Sequence, residues 1–125
     1  MTALKVLLVG AVGLLVVTFA KPAMAVTFTC TPLGVAAFEP GAPNNRVHVQ
    51  CTTSTPDAGN NVSFFAVPAS DTAYANRFIS IATTAITTGR ALILTFTSGK
   101  STDLNGAAFG CLQTDCRYAV AITLF

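Results

Sequence analysis

Charge is what this chain has least of. Only 10% of its 125 residues are Asp, Glu, Lys or Arg, Trp is absent, and there is a single His, His48. A chain so poor in charge and 52% apolar is not a disordered polyelectrolyte. A formal charge of +2 supplies no basic face for nucleic acid, so neither DNA nor RNA is expected as a partner. One imidazole leaves little material for acid–base catalysis, and no G-x-S-x-G, phosphate loop or H-E-x-x-H occurs. The length allows one domain of ordinary size.

The amino-terminal segment has the features of an export signal. Lys5 is its positive start, Val6 to Ala20 is an apolar run whose one polar member is Thr18, and Lys21-Pro22-Ala23-Met24-Ala25 ends small-x-small. A membrane span needs about 20 apolar residues, and Lys21 and Pro22 close the run before that. The expected organisation is a cleaved signal peptide over residues 1–25 and one domain over 26–125, secreted or periplasmic, with no membrane span in the mature chain. Removing the leader takes Lys5 and Lys21 with it. Arg46, Arg77, Arg90, Lys100 and Arg117 are then matched one for one by Glu39, Asp57, Asp71, Asp103 and Asp115. A neutral domain exerts no long-range field on DNA, anionic lipid or an acidic polymer, so recognition must come from local contacts.

All four Cys, namely Cys30, Cys51, Cys111 and Cys116, lie in the predicted mature part. An even count in an oxidising compartment reads as two disulfides. Pairing of neighbours is favoured, Cys30 with Cys51 and Cys111 with Cys116, because the first two lie at the ends of segments that can form one hairpin and the last two close a short loop. Zinc needs two close Cys or Cys/His pairs, which this spacing does not supply, and no metal or cofactor is expected.

Periodicity locates the elements. Val26 to Cys30 alternates and continues, after Pro32-Leu-Gly34, into Val35 to Phe38, one interrupted strand. After the turn residues of 41–45, Arg46 to Cys51 puts Val47 and Val49 on one face and Arg46, His48 and Gln50 on the other. Thr52 to Asn61, with Pro56 and Gly59, reads as a loop before a third strand, Val62 to Val67. Asp71 is a good N-cap, Ala75, Phe78, Ile79, Ala82, Ala85 and Ile86 recur at helical spacing, and Gly89 is a stop. Ala91 to Phe96 is a fourth strand, Ser98 to Gly106 a loop, and Arg117 to Phe125 a closing strand. Three strands, one α-helix and two strands give a mainly β fold, a small five-stranded antiparallel OB-like barrel with the helix between strands 3 and 4.

The segment from Ala82 through Gly89 to Leu94, followed by Gly110-Cys111-Leu-Gln-Thr-Asp-Cys116-Arg117, resembles the OB-fold B subunits of bacterial A/B toxins of the subtilase cytotoxin and pertussis-like kind. That resemblance implies a non-enzymatic module that assembles into a homo-oligomeric ring and binds host or surface glycans. No sugar-binding residue is carried over by it. A second resemblance lies at the other end, where Cys30, Phe38, Val47-His-Val49-Gln-Cys51 and Val62-Ser63 look like the start of spore-coat-U-type pilin domains. It implies a surface-fibre subunit completed by a strand from its neighbour. After Gly89 that match ends, and Cys111 and Cys116 have no place in it. A small secreted inhibitor is a third reading of a stapled domain of this size.

Catalysis has no local constellation. His48 is the one candidate base, and no acidic residue neighbours it in sequence to orient it. Tyr74 and Arg77 on the polar side of the helix are candidates for stacking on a sugar or partner, against the plainer reading of a solvated helix face. Asp115 and Arg117 are expected to fix the late disulfide loop.

Overall fold

Alternation along the chain builds most of the strands, and the computed structural model describes residues 24–99, 106–112 and 114–125. The elements are β1 (Ala25–Cys30), β2 (Pro32–Phe38), β3 (Arg46–Asp57), β4 (Asn60–Pro68), α1 (Thr72–Thr88), β5 (Leu92–Thr97), a 3-10 turn (Ala107–Phe109), β6 (Cys116–Tyr118) and β7 (Ala121–Leu124). The predicted leader lies outside the described residues except at Met24 and Ala25. Ala25 pairs with Thr97 at the end of the β1–β5 ladder. Of the loop expected from Ser98 to Gly106, residues 100–105 also lie outside.

Among the described residues the protein is mainly β with one α-helix, but its strands do not form one five-stranded sheet. Seven strands divide between a three-stranded sheet, β1-β5-β7, and a four-stranded sheet, β2-β3-β4-β6. Nor is pairing antiparallel throughout, since β4 and β6 run parallel. The physical reason is that two segments change sheets. β1 and β2 are separated by Thr31 alone, whose carbonyl accepts from the Thr52 amide. The closing strand breaks at Ala119 and Val120, where the Ala119 amide donates to Ala66 in β4 and the next amide, Val120, to Thr95 in β5. These bonds satisfy backbone groups at each break while the chain crosses from one sheet to the other.

The stretch expected as a loop after Cys51 is strand. β3 runs on to Asp57 and pairs with β4 as Thr55 with Val62, Pro56 with Asn61 and Asp57 with Asn60. Ala58 and Gly59, both with positive φ, make the two-residue turn that primed hairpins use. Pro56 is tolerated because β2, the other neighbour of β3, has ended at its pairing with Cys51.

The helix forms where its stripe predicts. The Asp71 carboxylate accepts from the Tyr74 amide at 3.1 Å, and Gly89 at φ 67° sends its amide back to Ala85 and Ile86. Ala75, Phe78, Ala82 and Ala85 are buried, whereas Ile86 is exposed. The threonines that weaken α1 by propensity return their hydroxyls to the carbonyl four residues back, Thr84 to Ser80, Thr87 to Thr83 and Thr88 to Thr84. Packing against the sheets therefore holds the helix, as the contacts of α1 with β2, β3, β4 and β7 indicate.

Between the sheets lies a core that includes Val47, Val49, Phe65, Val67, Phe78, Leu92, Leu94 and Phe96. Phe65 from the four-stranded sheet stacks on Phe28 and tilts against Phe96 from the other, at ring separations of 5.7 and 5.4 Å. Disulfides join Cys30 to Cys51 and Cys111 to Cys116. The first ties β1 to β3 across the sheets, and closing a loop of its separation, 21 residues, is worth about 3 kcal/mol.

Candidate functional site

Alternation in β3 turns Val47 and Val49 into the core and leaves Arg46, His48 and Gln50 on the outer face. The ladders extend that face across the sheet. Phe38, Arg46 and Pro68 form one row, Ala36, His48, Ala66 and Tyr118 the next, and Gly34, Gln50, Phe64 and Cys116 the third. His48 therefore stands between two alanines. Its diagonal neighbour is Phe64, whose ring meets the imidazole edge-on at 5.7 Å and 87°.

The segment that carries the second disulfide packs over the Ala66 and Tyr118 end of this face. Phe109 packs at 77° on Tyr118, and Ala66, Phe109, Cys111 and Cys116 form a second, smaller apolar cluster. The loop is held down by its backbone, since the Ser63 and Phe64 amides both donate to the Asp115 carbonyl at 3.0 and 2.9 Å. Where it ends, a cavity of about 150 Å³ remains, lined by Arg46, His48, Phe64, Leu112, Asp115 and Cys116. A second hollow lies between Ala42, Pro43, Asn45, Ala69 and Ser70 and has no charged side chain.

The electrostatics of the first cavity are balanced. Arg46 lies over the Phe38 ring, 4.4 Å from its centre, and its Nη1 donates to the Asn44 carbonyl at 3.2 Å. Gly110, at φ 81°, allows this approach because a Cβ there would stand 2.9 Å from Arg46 Nη1. Burial, and then the charge of Arg46, push the His48 imidazole below its usual value, so it is neutral at pH 7. Asp115 adds an acidic side chain to the same lining, and among the described residues its carboxylate has no hydrogen-bond partner and forms no ion pair.

The loop's own geometry depends on Gly106. Its φ is 93°, and an added Cβ would lie 2.7 Å from the Cys111 Cβ and 2.8 Å from the Phe109 ring. We expect Gly106→Ala to cost about 1–3 kcal/mol from backbone strain alone, with the collision added. The His48 ring resonances should shift and the thermal midpoint fall. A variant with parental spectrum and midpoint would show that the loop does not depend on this glycine.

The other residues singled out by sequence sit elsewhere. Tyr74 is half-buried, and its hydroxyl donates to the Ala119 carbonyl at 2.7 Å, with burial, Tyr118 and Asp71 raising its pKa to about 12 against the opposing effect of Arg77. It fastens α1 to the β6–β7 crossing and is not free to stack on a ligand. Arg77 is exposed. Arg117, expected to fix the late disulfide loop, is fully buried, donates through Nη1 to the Cys116 carbonyl and pairs through Nε with Asp57 at 2.7 Å. Phe64 is hidden in the run Val62 to Val67, where Phe64, Phe65, Ala66 and Val67 are consecutive apolar residues that assign no face, and Leu112 reaches the site only through loop packing.

Among the described residues no group of His, Cys, Asp and Glu is arranged to hold a metal, and no helix is long and apolar enough to cross a membrane. Two disulfides are compatible with a secreted or periplasmic protein. Nothing among known family models, curated proteins or solved structures matches the chain.

Proposed function

We propose that this is a secreted, non-enzymatic binding module on an OB-like barrel, which takes a glycan on the outer face of β3 and β4 and assembles into a toxin-B-subunit-like ring. The barrel reading is supported by connectivity. Taking β1 with β2 and β6 with β7 as single bent strands gives five, ordered β1/β2, β3, β4, β6/β7, β5 and back to β1, with the helix after the third. OB-fold barrels hold oligonucleotides and oligosaccharides on the face of their second and third strands, bordered by the loops after strands 1 and 4. The observation that carries the function is that the cavity of Arg46, His48, Phe64 and Asp115 occupies the corresponding place here. A balanced charge disfavours the oligonucleotide.

The pilin-like alternative draws on the two sheets and on the Cys30–Cys51 link between β1 and β3. Mass in solution separates them. A ring gives one discrete oligomer, a fibre subunit gives polymers, and a small inhibitor stays monomeric. A glycan array probed with the oxidised protein tests the ligand class: selective binding to a subset is expected, and a flat array would overturn the glycan reading.

A further inference from the structure

We infer that the cavity takes one uncharged sugar ring, presented at the end of a glycan, with adjacent hydroxyls bridging Asp115 and Arg46 while a ring face lies against Phe64 and His48. The inference rests on the glycan reading and specifies its ligand. Size comes first. A cavity of about 150 Å³ is half or less of the ~300–1,000 Å³ that takes drug-sized molecules, and is of the order that holds a single six-membered ring.

Charge then selects among rings. Arg46 and Asp115 line the same cavity without closing on each other, since the ion pair among the described residues is Asp57–Arg117. An anionic sugar meets the Asp115 carboxylate, a cationic one meets the Arg46 guanidinium, and His48 adds no compensating charge. A purely apolar ring would strip water from both charges and return no hydrogen bond. A sugar hydroxyl both donates and accepts, so two neighbouring hydroxyls can donate to Asp115 and accept from Arg46 in charge-assisted bonds. Ala36 and Ala66 flank His48, so the side chains directly beside it in its row are small.

His48 is the only histidine, so its ring protons report this site without assignment ambiguity. The oxidised protein is titrated by NMR with methyl glycosides of neutral hexoses, of a uronic acid and of an amino sugar. We expect saturable shifts of the His48 signals with at least one neutral hexoside and at least tenfold weaker binding of both charged analogues. Asp115→Asn should raise the neutral Kd at least tenfold while the thermal midpoint holds, because the backbone carbonyl that Ser63 and Phe64 use is retained. Arg46→Gln provides the same test if the first variant does not fold. Equal or tighter binding of a charged analogue, or an unchanged Kd in the variant, overturns the inference. Array binding without any His48 shift also overturns it but leaves the module a glycan binder. A flat array together with silent His48 signals removes both.

Discussion

Replacing Arg117 by Met will destabilise the protein by about 3–5 kcal/mol, the cost of leaving a buried partner uncompensated. Arg117 is fully buried and the Asp57 side chain nearly so. The Asp57 carboxylate joins three parts of the chain: it ends β3, accepts from Ser98 Oγ at 2.6 Å and the Gly99 amide at 3.0 Å beyond β5, and accepts from Arg117 Nε in β6. Arg117 also donates to the Cys116 and Asp57 carbonyls. Without the guanidinium a carboxylate remains in the interior, and without the carboxylate a guanidinium does. Asp57→Asn should therefore also destabilise, and Asp57→Leu combined with Arg117→Met should recover much of the loss because neither charge remains. Urea midpoints measure all three. A single Arg117→Met variant within 1 kcal/mol of the parent would sink the assignment, and Arg117→Lys serves if the methionine variant does not fold.

The same pair predicts a pH dependence. Burial alone would raise the Asp57 pKa, but hydrogen bonds from Ser98, Arg117 and Gly99 and the charge of Arg117 outweigh it and hold the carboxyl below its ordinary value of 3.8. A group depressed in the folded state stabilises the fold above its unfolded pKa and loses that contribution as pH falls through its folded value. The parent should lose stability on acidification below about pH 4, and Asp57→Asn should lack that share of the slope.

Phe65→Ala should cost about 3–5 kcal/mol, against a total of roughly 5–15 for a domain of this kind. Phe65 is fully buried and is the ring through which β4 meets both β1 and β5. Truncation removes its contacts with Phe28 and Phe96 and leaves a void that two hydrogen-bonded sheets cannot readily close. Phe38→Ala is the control, since Phe38 is 47% exposed at the end of β2, and it should cost less than about 1 kcal/mol. A pair of equal denaturant midpoints would show that the aromatic cluster does not couple the sheets.

Local chemistry made several features readable. Asp71, the apolar stripe and Gly89 mark the helix because capping and periodicity act within a few residues. The alternation from Arg46 to Cys51 placed His48 outward for the same reason. Thr52 to Asp57 misled because Pro56 and Gly59 look like loop residues, yet Pro is harmless where a strand has no neighbour to receive its missing amide bond. Helical spacing puts Tyr74 on the wetted side of the helix, since nothing near it in sequence announces the Ala119 carbonyl 45 residues away.

Composition, turn residues and short-range periodicity by themselves determined a mainly β domain with one capped helix, near-neutral beyond its leader-like start, with four cysteines suited to neighbour pairing. Tertiary structure alone decided that two segments break to serve two sheets, that Asp57 reaches Arg117 across 60 residues, and that Asp115 and Leu112 fold over against His48 and Phe64. Local propensities are set by adjacent residues, whereas a buried ion pair and a cavity exist only where distant segments exclude water together.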